Sequence, residues 1–161
     1  MSKAGACFLC FMVYLAIGIV CIVFYNNNPT PCGIPGYPPL REWILGTGIA
    51  YCIIGFISGI FGIFLTSPDF LLISRNLAAT FFMWSAIFTF TWMIVGAVSL
   101  WRDGSNCITY NFPLWQMGIA AVIISMFLFV WLACVACHIK PEPFTSEQIE
   151  DVDRPISDTI V

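Results

Sequence analysis

The chain has 161 residues and a formal net charge of −3; 60% of it is hydrophobic and only 9% charged, against roughly 45–50% and about 25% in an ordinary soluble domain. That composition excludes a water-soluble enzyme and gives no basic surface for nucleic acid; it belongs to a protein whose partner is the lipid bilayer. Residues 6–25, 43–66, 77–101 and 116–137 contain no Asp, Glu, Lys or Arg, and each run approaches or exceeds the roughly 20 residues that cross about 30 Å of hydrocarbon. The prediction is an all-α membrane protein: a four-transmembrane-helix bundle over 1–139, both termini cytoplasmic, then a disordered tail over 140–161.

The first segment, 6–25, follows Lys3 as a secretory signal would, but its apolar run is too long, and bulky Phe24 and Tyr25 stand where cleavage needs small residues. It reads as a retained helix. Ser2 in place of glycine gives no N-myristoylation site, and Pro29 between Asn28 and Thr30 leaves no N-glycosylation acceptor. With the N-terminus inside, Lys3, Arg75, Lys140 and Arg154 are cytoplasmic while Arg41 and Arg102 are outside, the bias expected of the positive-inside rule.

In the first loop, "NNNPTPCGIPGYPPLRE", the cysteine is Cys32; in the third, "RDGSNCITYNFPL", it is Cys107. Both loops lie on one side, and in this orientation both thiols meet an oxidising compartment, where they are expected to form a disulfide tying the loops together. Two unpaired thiols are the alternative, because a bridge needs Cα atoms within about 7 Å. Trp43, Trp101 and Trp115 fall at the outer helix ends, where indoles anchor among headgroups.

The second segment carries Gly48, Cys52, Gly55, Gly59, Gly62 and Thr66 at spacings of four and three, one seam of small side chains. Close backbone approach along such seams drives helix association in lipid; the seam either packs the bundle internally or presents Gly48, Gly55, Gly59 and Gly62 to a partner helix. A similar stripe of Ala78, Ser85, Thr89, Gly96 and Ser99 in the third segment makes that helix the expected neighbour. No span holds an ionisable side chain other than cysteine and tyrosine. Proton relays, ion-coupling sites and voltage sensors are built from intramembrane charge, so transport by those means is disfavoured, although a pore lined by backbone or apolar groups carries no such signature.

Between the second and third segments, Ser67, Pro68 and Asp69 read as the start of a short helix whose Phe70, Leu71, Leu72 and Ile73 lie in the headgroup layer, or as an ordinary connection. The fourth segment ends on Cys134, Cys137 and His138, the c-type haem attachment pattern. Its position at the cytoplasmic end of a membrane helix, in a chain whose only histidine is His138, argues against haem. Four thiolates from Cys7, Cys10, Cys134 and Cys137 suit tetrahedral zinc, but a CxxC inside a continuous helix does not form a zinc knuckle, so neither metal nor cofactor is expected. These four cysteines are instead candidates for reversible acylation at the headgroup level, or small apolar residues packed between helices.

The tail from Lys140 to Val161 has six acidic and two basic residues and three prolines, too polar to bury a core. It closes on "DTIV", in which Thr159 and the Val161 carboxylate match a ligand that adds as a strand to a cytoplasmic PDZ scaffold.

From Cys32 to Trp131, about two thirds of the chain, "PCGIP" before a glycine-rich helix, "FTFTWMIVGAVSLW" with Trp92 and Gly96, and Cys107 and Trp115 before an apolar helix resemble the transmembrane protein 272-like tetraspan family. The resemblance implies four helices, cytoplasmic ends and an extracytoplasmic cysteine pair, and no activity. The sequence reads as a non-enzymatic tetraspan protein, at the plasma membrane, that associates laterally with other integral membrane proteins as an accessory or organising subunit of a receptor, channel or junction complex. Its alternatives are a small oligomeric channel or transporter and a membrane thiol oxidoreductase.

Overall fold

A computed structural model of the chain describes residues 3–29, 39–66 and 71–139, with 71–74, 103–106 and 110 as backbone only. Four helices account for nearly all of them: α1 Lys3–Asn27, α2 Leu40–Phe64, α3 Leu71–Tyr110 and α4 Phe112–Ile139. All four contain spans long and apolar enough to cross a membrane, that of α3 running from Arg75 to Arg102, and no strand occurs among the described residues. The chain is a multi-pass membrane protein with a bilayer-facing exterior.

The helices form two antiparallel hairpins, α1 with α2 and α3 with α4, which meet more sparsely along α2. Each hairpin is locked by an arginine. Arg41, at the start of α2, donates from Nε to the Asn28 carbonyl at 2.8 Å and from Nη2 to that of Tyr25 at 3.3 Å, with its guanidinium 3.6 Å from the Tyr25 ring centroid. Arg75, near the start of α3, donates from Nε to the Ile139 carbonyl at 2.9 Å. Both cations sit where the neighbouring helix ends in unpaired carbonyls and the negative pole of its dipole. Within the spans, Thr47, Ser58, Thr91 and Ser125 return their hydroxyl hydrogens to carbonyls four residues earlier, which satisfies them without water. Helix α2 is the central element: 44% of its span is buried against 28% of each of the others.

Two expectations change. Cys107 is not in a loop: α3 continues through the "RDGSN" stretch to Tyr110, and Asn111 alone separates it from α4. Asn111 donates its backbone N–H to the Cys107 carbonyl at 2.9 Å, and its side-chain oxygen accepts the Leu114 N–H at 3.3 Å, so one residue ends one helix and caps the next. Trp43 is not a headgroup anchor either. It is 3% exposed and its indole bonds inside the bundle, whereas Trp101, 91% exposed, stands at the outer end of the α3 span.

Candidate functional site

The glycine seam of α2 faces α1. A Cβ built on Gly48 would lie 3.0 Å from the Gly18 carbonyl oxygen; one on Gly55 would lie 3.0 Å from the Leu15 nitrogen. Gly59 is covered by the Phe11 ring and Gly62 by that of Phe8. All four glycines are therefore occupied within the hairpin, and the seam is not a surface offered to another protein. The α1 face that covers the seam is Phe8, Phe11, Leu15, Gly18 and Ile22, and beside it Ala6, Cys7, Cys10, Tyr14 and Cys21 are buried. Here cysteine acts as a small apolar residue.

The expected neighbour of α2, α3, is joined to it by a reciprocal clasp. Trp43 donates its indole N–H to the Trp92 carbonyl at 3.0 Å, and its ring covers Gly96 so closely that no Cβ fits there. Trp92 donates its own to Thr47 Oγ1 at 2.9 Å, and its ring covers Gly46, where a Cβ would meet Cζ2 at 2.8 Å. Each indole thus lies over a glycine of the facing helix and spends its only polar hydrogen there.

Sequence reasoning missed a group of hydroxyls near the middle of the spans, one from each helix. The rings of Tyr14 and Tyr51 meet edge to face at 5.1 Å. Ser125 donates to the Ala121 carbonyl at 2.7 Å, which leaves the Tyr51 hydroxyl to donate to Ser125 Oγ at 2.5 Å. Tyr14 reaches the Leu128 carbonyl at 3.5 Å, and Thr89 Oγ1 is buried beside the Tyr14 hydroxyl. The signal was available: Tyr14, Thr89 and Ser125 are the hydroxyl residues closest to the centre of their apolar runs, and Tyr51 shares that place with Ser58.

The four juxtamembrane cysteines separate into two kinds. Cys7 and Cys10 are fully buried, Cys10 beside Trp131, and a thiol in that position has no room for an acyl chain; they are withdrawn as acylation sites. Cys134 and Cys137 are exposed, but they open into different grooves. Cys137 lies in a groove of about 540 Å³ with Ala79, Met83 and Ala86 of α3 and Phe129 and Ala133 of α4. Cys134 lies with Trp131, Val135 and His138 in one of about 460 Å³ whose other wall is Ala6 of α1. A third, of about 310 Å³, runs between α2 and α3 past Ile53, Trp84 and Phe88. The Cys134–Cys137–His138 pattern therefore presents no single surface to a macrocycle, and among the described residues no three His, Cys, Asp or Glu side chains converge as a metal site requires.

Cys107 is buried and disulfide-bonded, while Cys7, Cys10, Cys21, Cys52, Cys134 and Cys137 are free. Cys32, the segment Ser67–Phe70 and the tail with Thr159 and Val161 lie outside the described residues. Compared with known proteins, the chain matches no family model, no curated protein and no solved structure.

Proposed function

We propose that this is a non-enzymatic tetraspan protein that associates laterally with another integral membrane protein, through the groove between α3 and α4. The observation that carries the reading is the contrast between the two candidate surfaces. The glycine seam is consumed by α1. The α3–α4 groove, by contrast, is open along the helices and floored by Ala79, Ala86, Ala133 and Ala136, small residues that let another helix approach closely. A pore through a single bundle is not favoured, because Tyr14, Tyr51, Phe82 and Leu132 fill the interior with fully buried side chains.

In this reading both termini are cytoplasmic and the protein works at the plasma membrane, where the tail recruits a PDZ scaffold through Thr159 and Val161. Cys32 is the partner of Cys107, supported by Cys107 being bonded and the other six cysteines free. Membership in the transmembrane protein 272-like family rests on the same residues as before, of which Trp92 and Gly96 have a shared role in the clasp.

The test is purification in mild detergent with mass spectrometry of what accompanies the wild type and Ala133→Phe, a substitution that fills the groove from its partly exposed wall. A stoichiometric membrane protein lost from the variant supports the proposal. A symmetric homo-oligomer, unaffected by the substitution, favours the channel reading instead.

A further inference from the structure

Of the three grooves, only the one between α1 and α4 has an ionisable base among its lining residues. Trp131, Cys134, Val135 and His138 line its α4 wall and Ala6 its α1 wall. Residues 131, 134, 135 and 138 share one helical face, with His138 one residue from the end of α4 at Ile139. On α1, Lys3 precedes Ala6 by three residues and so shares its face; because side chains tilt toward a helix N-terminus, its ammonium is carried past the groove toward water. No carboxylate side chain is described at this end: Glu42, the only one described anywhere, is at the opposite end beside Arg41. Arg75, the third base here, holds the Ile139 carbonyl.

An apolar trough ending between two bases fits an amphiphile with one acyl chain and a negative head. We propose that the α1–α4 groove binds an anionic phospholipid, one chain lying against Ala6, Trp131 and Val135 and the phosphate held between Lys3 and His138. Basic pockets between membrane helices hold lipid headgroups in this way. Zwitterionic phospholipids offer the same chain without net charge, so the bases set the preference. The inference is independent of the lateral partner, which occupies the other side of α4.

The full chain is reconstituted in phosphatidylcholine vesicles with and without phosphatidylglycerol, extracted in mild detergent and weighed by native mass spectrometry. One phosphatidylglycerol per chain is expected to remain bound. Replacing Lys3 and His138 by Gln should weaken retention by about fivefold or more, the factor contributed by a single surface base. Cys134→Trp, at an exposed position that leaves the core intact, should remove the lipid by filling the groove, while Cys134→Ala should retain it; melting temperatures confirm that each variant is folded. Equal retention of the two phospholipids, full retention by the Lys3/His138 variant, or a hydroxylamine-labile acyl group on Cys134 in place of lipid would each overturn the proposal.

Discussion

Among the described glycines, backbone approaches backbone most closely where α1 crosses α2, and Gly18→Ala tests it. A Cβ at Gly18 would stand 2.6 Å from Cys52 Sγ, 2.8 Å from the Gly48 carbonyl oxygen and 2.9 Å from the Cys52 nitrogen. Two of the three are backbone atoms, so no rotamer change relieves the clash. Ordinary contact begins at 3.4 Å, so the oxygen must retreat by 3.4 − 2.8 = 0.6 Å, and the hairpin must open by that much along its length. Overpacking costs typically 1–3 kcal/mol, and a backbone clash belongs at about 3. Alanine returns about 1 kcal/mol of helix propensity. The net is about 2 kcal/mol, roughly a thirtyfold loss in the folding equilibrium. Gly62→Ala is the control: its Cβ would meet only the ring of Phe8, at 3.3 Å, and Phe8 is exposed and free to turn. That variant should be neutral or slightly more stable. Unfolding in bicelles, followed by steric trapping, measures both. If Gly18→Ala is as stable as Gly62→Ala, the close crossing at Gly18 and Gly48 is wrong.

Trp92→Phe removes the indole bond to Thr47 and part of the cover over Gly46, and is expected to lower stability by about 1–2 kcal/mol; an unchanged melting temperature in detergent would remove the clasp from the account. Tyr51→Phe leaves the aromatic contact with Tyr14 but deletes the link to Ser125, and should cost about 0.6 kcal/mol, at most about 1.7. A larger loss, in the same melting experiment, would mean that the midplane hydroxyls act as a network rather than a pair. For the cysteines, alkylation of the folded protein under non-reducing conditions should label Cys134 and Cys137. Denaturation should add Cys7, Cys10, Cys21 and Cys52, and reduction alone should release Cys32 and Cys107. Peptide mapping that finds Cys32 or Cys107 free in fresh membranes contradicts their pairing.

The spans were legible because a charge-free run of this length has only one inexpensive environment. Their ends were less so. The absence of charge is broken only at Arg102 and Asp103, but a helix ends where its backbone bonds end, and Asn111 allows α3 and α4 to continue almost into one another. "RDGSN" contains turn-forming residues, yet its neighbours on both sides are helical and the hairpin is closed by the cap instead. The glycine seam told that something approaches α2 closely and not which helix does. Its complement was present as Phe8, Phe11, Leu15, Gly18 and Ile22 at spacings of three and four, hidden because the one small residue, Gly18, stands among large ones. The grooves were not legible at all, since they arise from how helices pack, one within the α3–α4 hairpin and two between the hairpins, and no single helix's sequence contains that relation.

The claim that matters most is that lateral association uses the face between α3 and α4. A photoreactive amino acid at Met83, exposed in that groove, and another at Val20, exposed on α1, measure it in native membranes. The account predicts a protein adduct of one defined mass from Met83, abolished by Ala133→Phe, and only lipid adducts from Val20. Lipid adducts alone from Met83, or the same protein adduct from Val20, would contradict it.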